Sequence, residues 1–252
     1  MVLLSKKIIY GLWNAWFYVL AGIGVILCFP LLITFLQRDR WYRHVFWLGR
    51  WVWSPIILYG MGFWPKFTRH QRLEKGKNYM FVANHLSMID IMMMMMAVRN
   101  PFVFVGKREL EEIPVFNYIY RRAAIMVDRD NYDSRKNVYH RAQKKLDMGY
   151  SVCIYPEGLV PRPEVFLAPF KNGAFSLAIQ YQMPIVPVTL PDCKNRFPFQ
   201  FGHKYWFGTP GKVRAIVHPA IETKGLTKDD IPGLKKQTHQ FFQNQLRKEG
   251  YS

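Results

Sequence analysis

An almost wholly apolar run near the start of the chain, residues 8–36, restricts the possible folds more than any other feature. Only Asn14 and Thr34 interrupt it, and it exceeds the roughly 20 residues that span bilayer hydrocarbon. It is too long for the apolar core of a signal peptide, and no small-residue cleavage site follows, so we expect it to stay attached. A second stretch, 45–64, contains Arg50, Pro55 and four tryptophans, as is typical of an interfacial segment. Together they predict a helical, two-helix membrane motif within residues 1–77.

Basic residues flank both stretches, and the 252-residue chain carries a net charge of +18, which indicates an anionic partner. The tryptophans concentrate beside the apolar run, so we expect a phospholipid bilayer and no nucleic acid. Because positive charge flanks both ends of the first stretch, the charge pattern does not indicate which end faces the cytoplasm. Either the stretch spans the membrane once, or the two stretches form a hairpin in one leaflet. We favour the hairpin, because the catalytic candidates described below follow within about twenty residues.

From residue 78 onward, short apolar strands alternate with helical segments, which predicts an α/β domain over 78–252 with a mostly parallel central sheet flanked by helices. The predicted strands are 79–83, 102–105, 124–127, 152–155, 185–190 and 213–217. Helices are predicted over about 133–148, ended by Gly149, over about 170–182, and from the capping pattern Thr227-x-x-Asp230 to about Lys248.

His85 and Asp90 follow the first predicted strand of this domain. A neutral imidazole can take a proton from a hydroxyl while a carboxylate holds the ring and stabilises the cation, which is the chemistry of acyl transfer to an alcohol. Five positions along one straight helix would separate the two side chains, so they can meet only across a strand-to-helix turn. The alternative is that Ser87-x-x-Asp90 is only a capping box.

Ligands in open α/β sheets bind beyond the carboxyl ends of the strands, so residues that follow each strand form the candidate site. Lys107 and Arg129 follow the next two strands, and Glu157 and Gly158 follow the fourth. Cations on the same edge as a general base suit a phosphorylated alcohol. The three cysteines have neither CxxC nor histidine spacing, so we expect no disulfide framework and no zinc site.

The chain contains, in this order, Asn84-His85-x4-Asp90, Gly106-Lys107-x-Glu109-Leu110, Val127-Asp128-Arg129, Tyr155-Pro156-Glu157-Gly158 and Val186-Pro187-Val188. This order resembles the sequence blocks of the glycerolipid acyltransferases, in particular the 1-acylglycerol-3-phosphate acyltransferases. The resemblance covers residues 79–190. It implies that His85 is the general base on the hydroxyl of a lysophospholipid and Asp90 its partner. Lys107 and Arg129 would bind the phosphate, with Glu157 and Gly158 beside the acceptor. It also implies an acyl-carrier-protein or coenzyme A thioester as donor, with no metal and no cofactor.

The chain departs from that family after Glu157-Gly158, where Leu159-Val160 stands in place of the usual Thr-Arg. The usual phosphate-binding arginine is therefore missing, and Arg162 or Lys171 is the candidate replacement. The departure leaves other acceptors open, namely a lyso-aminolipid, another lysophospholipid or glycerol 3-phosphate. A basic membrane-peripheral lipid-binding module is the alternative that is not an enzyme.

We expect direct transfer without an acyl-enzyme, because Cys153 lies inside a strand and Ser87 suits a helix cap better than a nucleophile. Backbone amides at the turn or at the helix start are the expected oxyanion donors. Since acyl thioesters are cytoplasmic, the expected location is a bacterial-type inner membrane with the active site on its cytoplasmic face.

Overall fold

The computed structural model describes residues 2–107, 116–127, 132–162, 164–199 and 207–251. Within these residues a seven-stranded sheet runs through the molecule in the order β1-β7-β6-β2-β5-β3-β4. All neighbouring strands are parallel except β6 and β7, which are antiparallel. The predicted α/β class with a mostly parallel sheet is confirmed.

The six predicted strands are all present, with ends that shift by one or two residues. Their bounds are β2 Met80–Ala83, β3 Phe102–Lys107, β4 Ala124–Val127, β5 Ser151–Ile154, β6 Ile185–Thr189 and β7 Gly211–Val217. Strands β2 and β6 are buried along their whole length, because helices cover both faces of the sheet centre. Their continuous apolar sequences reflect this burial.

Strand β1, Phe63–Arg69, was not predicted and lies at the edge of the sheet. It pairs in parallel with β7, so the sheet also includes residues from the range predicted as a purely helical membrane segment. Phe63 is fully buried while its neighbour Trp64 is exposed, as alternation along a strand requires. The tryptophans and Pro65 obscured this alternation, and an edge strand tolerates a proline.

Helix α1, Val2–Phe35, contains nearly all of the apolar run. Its two polar interruptions bond back to the preceding turn: Asn14 Nδ2 donates to the Tyr10 carbonyl at 2.8 Å, and Thr34 Oγ1 to the Pro30 carbonyl at 2.9 Å. The polar side chains therefore need no partner outside the helix. By length and composition, Lys6–Phe35 can cross a membrane.

The chain then returns along α1 through α2 Tyr42–Leu48, a π-helical turn Gly49–Trp53 and α3 Ser54–Gly60. Near the open end of this hairpin, Trp16 Nε1 donates to the Gly60 carbonyl at 2.9 Å. At its turn, Asp39 pairs with Lys144 at 2.6 Å and Lys145 at 2.8 Å. The turn is thus bound to the α/β domain, and the hairpin lies lengthwise against that domain.

The outer face of the hairpin is apolar and exposed. It includes Ile8, Ile9, Leu12, Trp16, Val19, Ile23, Ile26, Leu27, Trp47, Trp51 and Tyr59. A monomeric soluble protein rarely exposes so large an apolar surface.

The remaining helices pack on the two faces of the sheet. They are α4 Asp90–Ala97, α5 Phe116–Ala123, α6 Tyr132–Asp147, α7 Gly173–Gln180, α8 Cys193–Arg196 and α9 Ile231–Lys248. The predicted stop at Gly149 is confirmed by its φ of 79°. The predicted cap is also confirmed: Thr227 and Asp230 form both bonds of a capping box, which begins a short 3₁₀ turn ahead of α9.

Candidate active site

The candidate site lies where the adjacent strands β5, β2 and β6 end. Asn84, directly after β2, ties this edge together: its Oδ1 accepts from the Leu190 amide at 2.8 Å, and its Nδ2 donates to the Leu190 carbonyl at 3.1 Å. Both groups are buried, so the pair of bonds fixes the end of β2 relative to the segment after β6. His85 therefore starts from a rigid position.

The structure brings His85 and Asp90 together. His85 Nδ1 lies 2.9 Å from Asp90 Oδ2, and the imidazole is the part of the pair that reaches the surface, 19 % exposed against 1 % for the carboxylate. Because an ionised carboxylate only accepts, Nδ1 carries the proton, and Nε2 on the other side of the ring is the acceptor. This arrangement gives a base that is oriented by a carboxylate.

Asp90 also organises the turn between β2 and α4. Its Oδ2 accepts from the amides of Leu86 at 2.9 Å and Ser87 at 2.8 Å. The same oxygen thus serves the turn and the dyad, so Ser87-x-x-Asp90 is not only a capping box; the N-cap of α4 is Ile89, which makes no side-chain cap bond. Helix α4 begins at Asp90 itself, three residues later than a start at Ser87.

Glu157 holds His85 from the opposite side through the backbone. Its Oε1 accepts from the His85 amide at 2.8 Å, and its Oε2 accepts from the Ala168 amide at 2.9 Å. Burial raises the pKa of this carboxyl to about 7, although the two amide hydrogen bonds oppose the shift. Glu157 is 1 % exposed, so it is placed to position His85 through the backbone, and its place beside the acceptor stays a prediction.

Tyr155, which sequence reasoning did not assign to the site, stacks on His85. The two rings lie 4.0 Å apart between centroids, with 15° between their planes. Phe104 continues the stack at 6.0 Å from Tyr155. The sequence signal that could have identified Tyr155 is an aromatic residue directly after β5. The stack restricts rotation of the imidazole.

The cationic candidates differ in where the structure places them. Lys171 lies over Gly158: a Cβ on that glycine would meet Lys171 Cδ at 2.7 Å and Nζ at 3.2 Å. Gly158 has a φ of 75°, which an L side chain rarely adopts. Arg162 is exposed in the loop between Gly158 and Lys171. Lys107 ends β3, but its side chain lies outside the described part of the chain, as does the whole of Arg129.

Three nucleophilic side chains near the site, among the residues that the structure describes, are occupied or buried. The Ser87 hydroxyl donates to the Phe197 carbonyl and is fully buried. Burial raises the pKa of the thiols of Cys153 and Cys193, and the nearby Asp90 adds to the effect on Cys193. None of the three is poised to form an acyl-enzyme.

Four amides of the turn are also occupied. Those of His85, Leu86 and Ser87 donate to carboxylates, and that of Ile89 donates to Ser87 Oγ at 3.2 Å. The expectation that these amides stabilise an oxyanion is therefore wrong for the four positions, because each already has an internal acceptor. They hold the dyad in place instead.

Tyr251, after α9, is a second residue that the sequence did not reveal. Its side chain is buried, and burial raises the pKa of its hydroxyl, with Glu157 and Asp90 contributing. Arg214 fixes this segment by donating to Glu249 at 2.6 Å and to Asp192 at 2.8 Å. The Tyr251 hydroxyl is therefore held near the two buried carboxyls of the site.

Comparisons with known proteins bear on the family and the fold of the chain. The family model described as Acyltransferase matches residues 65–191. The chain is 32 % identical to human 1-acyl-sn-glycerol-3-phosphate acyltransferase beta, over 88 % of this chain and 81 % of that protein. It is 27 % identical to the Escherichia coli 1-acyl-sn-glycerol-3-phosphate acyltransferase, over 84 % and 83 %. The fold matches the crystal structure of the 1-acyl-sn-glycerophosphate (LPA) acyltransferase PlsC from Thermotoga maritima with a TM-score of 0.72, at 21 % identity and 98 % coverage of both chains.

Proposed function

Because the chain belongs to the Acyltransferase family, we propose that it moves a fatty acyl group from a thioester to the sn-2 hydroxyl of lysophosphatidate, forming phosphatidate. The observation that carries the proposal is the 2.9 Å contact between His85 Nδ1 and Asp90 Oδ2 at the surface-facing end of β2. The relatives named for this reaction span most of the chain, which supports the choice of acceptor.

In the proposed reaction His85 Nε2 takes the proton of the acceptor hydroxyl as its oxygen attacks the thioester carbonyl carbon. Asp90 stabilises the imidazolium through Nδ1. The tetrahedral intermediate then expels the thiol, which receives the proton from His85, so one C–O bond forms and one C–S bond breaks. Burial of Cys153 and Cys193 and the internal bond of Ser87 support direct transfer.

Lys171 is our proposed replacement for the missing phosphate-binding arginine. Its side chain crosses Gly158 in the block where the family carries that arginine, and its amide donates to the Pro156 carbonyl at 2.7 Å. An ammonium held at this position can bind a phosphate as a point charge. Lys107, Arg129 and Arg162 remain proposed contributors to the same phosphate site.

The exposed apolar face of the hairpin supports insertion into one leaflet, with the site at headgroup level, where the lysophospholipid lies. A cytoplasmic face of the inner membrane and an acyl-carrier-protein or coenzyme A thioester as donor belong to the same proposal. The donor is a substrate, and no cofactor is part of the proposed reaction.

The test is acyl transfer by the full chain in lipid vesicles, with each donor type and with lysophosphatidate, glycerol 3-phosphate or a phosphate-free lyso-lipid as acceptor. We expect turnover of lysophosphatidate, lost in His85→Ala by at least about a hundredfold, as is usual when a general base is removed. His140→Ala, an exposed histidine on α6, is the matched control. Turnover that survives in His85→Ala contradicts the proposal.

The phosphate role is tested by Lys171→Ala beside Arg162→Ala. We expect Lys171→Ala to raise the KM for lysophosphatidate about tenfold or more, since a charge-assisted contact is lost, with a smaller effect of Arg162→Ala. If neither change moves this KM, the two residues do not bind the phosphate.

A further inference from the structure

A concave site lies at the edge of the sheet opposite His85. It is a cavity of about 490 Å³ lined in part by Pro101, just before β3, and Gly149, just before β5. His85 follows the carboxyl end of β2, which is parallel to β5, and β5 is parallel to β3. The cavity therefore lies at the amino ends of these strands, roughly 13 Å away along a four-residue strand.

The cavity is strongly basic. Arg69, Arg72, Lys75 and Arg99 line it, and none of the described lining residues is acidic. Within the described ranges none of these four cations forms an ion pair with a carboxylate; Glu74, adjacent in sequence, pairs with Lys77 instead, at 3.3 Å. A single surface cation is ordinarily solvated. Four cations around one cavity, none of them paired with a carboxylate in the described residues, produce a positive electrostatic potential that attracts an anion.

Arg69 is fixed in its place by the last turn of α4. Its Nε donates to the Ala97 carbonyl at 2.9 Å, and its Nη2 donates to the Met96 carbonyl at 3.3 Å. Burial lowers the pKa of this guanidinium, and the neighbouring Arg99 adds to the effect. An anion in the cavity would relieve that repulsion while contacting a preorganised donor.

The hairpin also contacts the cavity wall. The Arg50 guanidinium donates to the carbonyls of Met95 and Val98, and Val98 lines the cavity. Trp51, next to Arg50, belongs to the exposed apolar face of the hairpin. The cavity is thus close to the surface that we assign to the membrane.

We propose that this cavity binds the phosphate group of an anionic ligand, at a site separate from the acceptor site at His85. The chemistry recognised is a phosphate monoester or free phosphate, which a lipid headgroup or a soluble anion can supply. The inference does not depend on the proposed reaction, because it uses none of the residues assigned to catalysis.

The test is hydrogen exchange on the full chain in neutral detergent micelles, which reports the two sites separately. Inorganic phosphate is added in one arm and phosphatidate in the other, with sodium chloride at matched ionic strength as reference. We expect slower exchange of the amides of residues 70–76 and 98–100. In Arg72→Gln with Arg99→Gln, the half-saturating concentration should rise about tenfold or more.

Lys236→Gln with Lys248→Gln removes the same charge from exposed positions of α9 and is the matched control. Lys75→Gln, at an exposed position, provides a second, milder cavity variant. Protection with both ligands supports recognition of the phosphate group, and protection with phosphatidate alone supports it with a lipid as the source. Absence of protection with both ligands, or equal half-saturation in the cavity and control variants, overturns the proposal.

Discussion

Replacing Glu157 by glutamine tests whether this buried carboxyl positions His85. In the wild type the two oxygens accept from the amides of His85 and Ala168. A carboxamide has one acceptor oxygen, so its NH₂ must face one of these amides and leave that buried donor unpaired. An unpaired buried donor costs about 1–3 kcal/mol.

The substitution also removes a titration. The pKa of Glu157 is raised to about 7 in the folded protein from 4.5, so the neutral form is favoured by folding. Its stabilising contribution is complete below the unfolded value and is lost as pH rises through 7. For these two values linkage gives a loss of about 2.5 kcal/mol between pH 5 and pH 8. Glutamine does not titrate, so the difference in unfolding free energy between the wild type and Glu157→Gln should shrink by about 2.5 kcal/mol from pH 5 to pH 8.

The assay is denaturant unfolding in detergent across pH 5 to 8, together with kcat measured on the same samples. We expect kcat to fall about tenfold or more with little change in KM, because displacement of the His85 backbone misplaces the base. Glu222→Gln, at an exposed position, is the control. Parallel stability curves for wild type and Glu157→Gln would refute the raised pKa, and an unchanged kcat would refute the positioning role.

Two further substitutions probe the contacts around the dyad. Gly158→Ala should lower the free energy of unfolding by about 1–2 kcal/mol, because φ is 75°, and should raise the acceptor KM by displacing Lys171. The control Gly225→Ala, with a φ of 81° and no atom within 4 Å, should show similar strain with KM unchanged. Equal KM values in the two variants would contradict the Lys171 contact. Tyr155→Phe should leave kcat and the free energy of unfolding nearly unchanged, because the buried hydroxyl has no hydrogen-bond partner in the described structure. Tyr155→Leu should lower kcat about two- to tenfold, because it removes the ring that stacks on His85. Equal kcat values in the two variants would argue against a role for the stack.

The sequence predicted the parts of the fold that depend on local pattern. The six strands after residue 78 and helices α6, α7 and α9 were recognised because their apolar periodicity matches their burial. Strand β1 was missed because tryptophans beside an apolar segment indicate a membrane interface as readily as a strand. The length of the apolar run likewise predicted a long helix but not its position against the domain.

For the site, the sequence by itself predicted that the side chains of His85 and Asp90 meet, since a strand-to-helix turn can join two residues five positions apart. The tertiary structure alone decided how they are held. Glu157 lies 72 positions from His85, and Leu190 lies 106 positions from Asn84, so these bonds exist only because β5, β2 and β6 are neighbours. Local sequence encodes where strands form, but strand order depends on packing of the whole chain, which therefore decides every contact across the sheet.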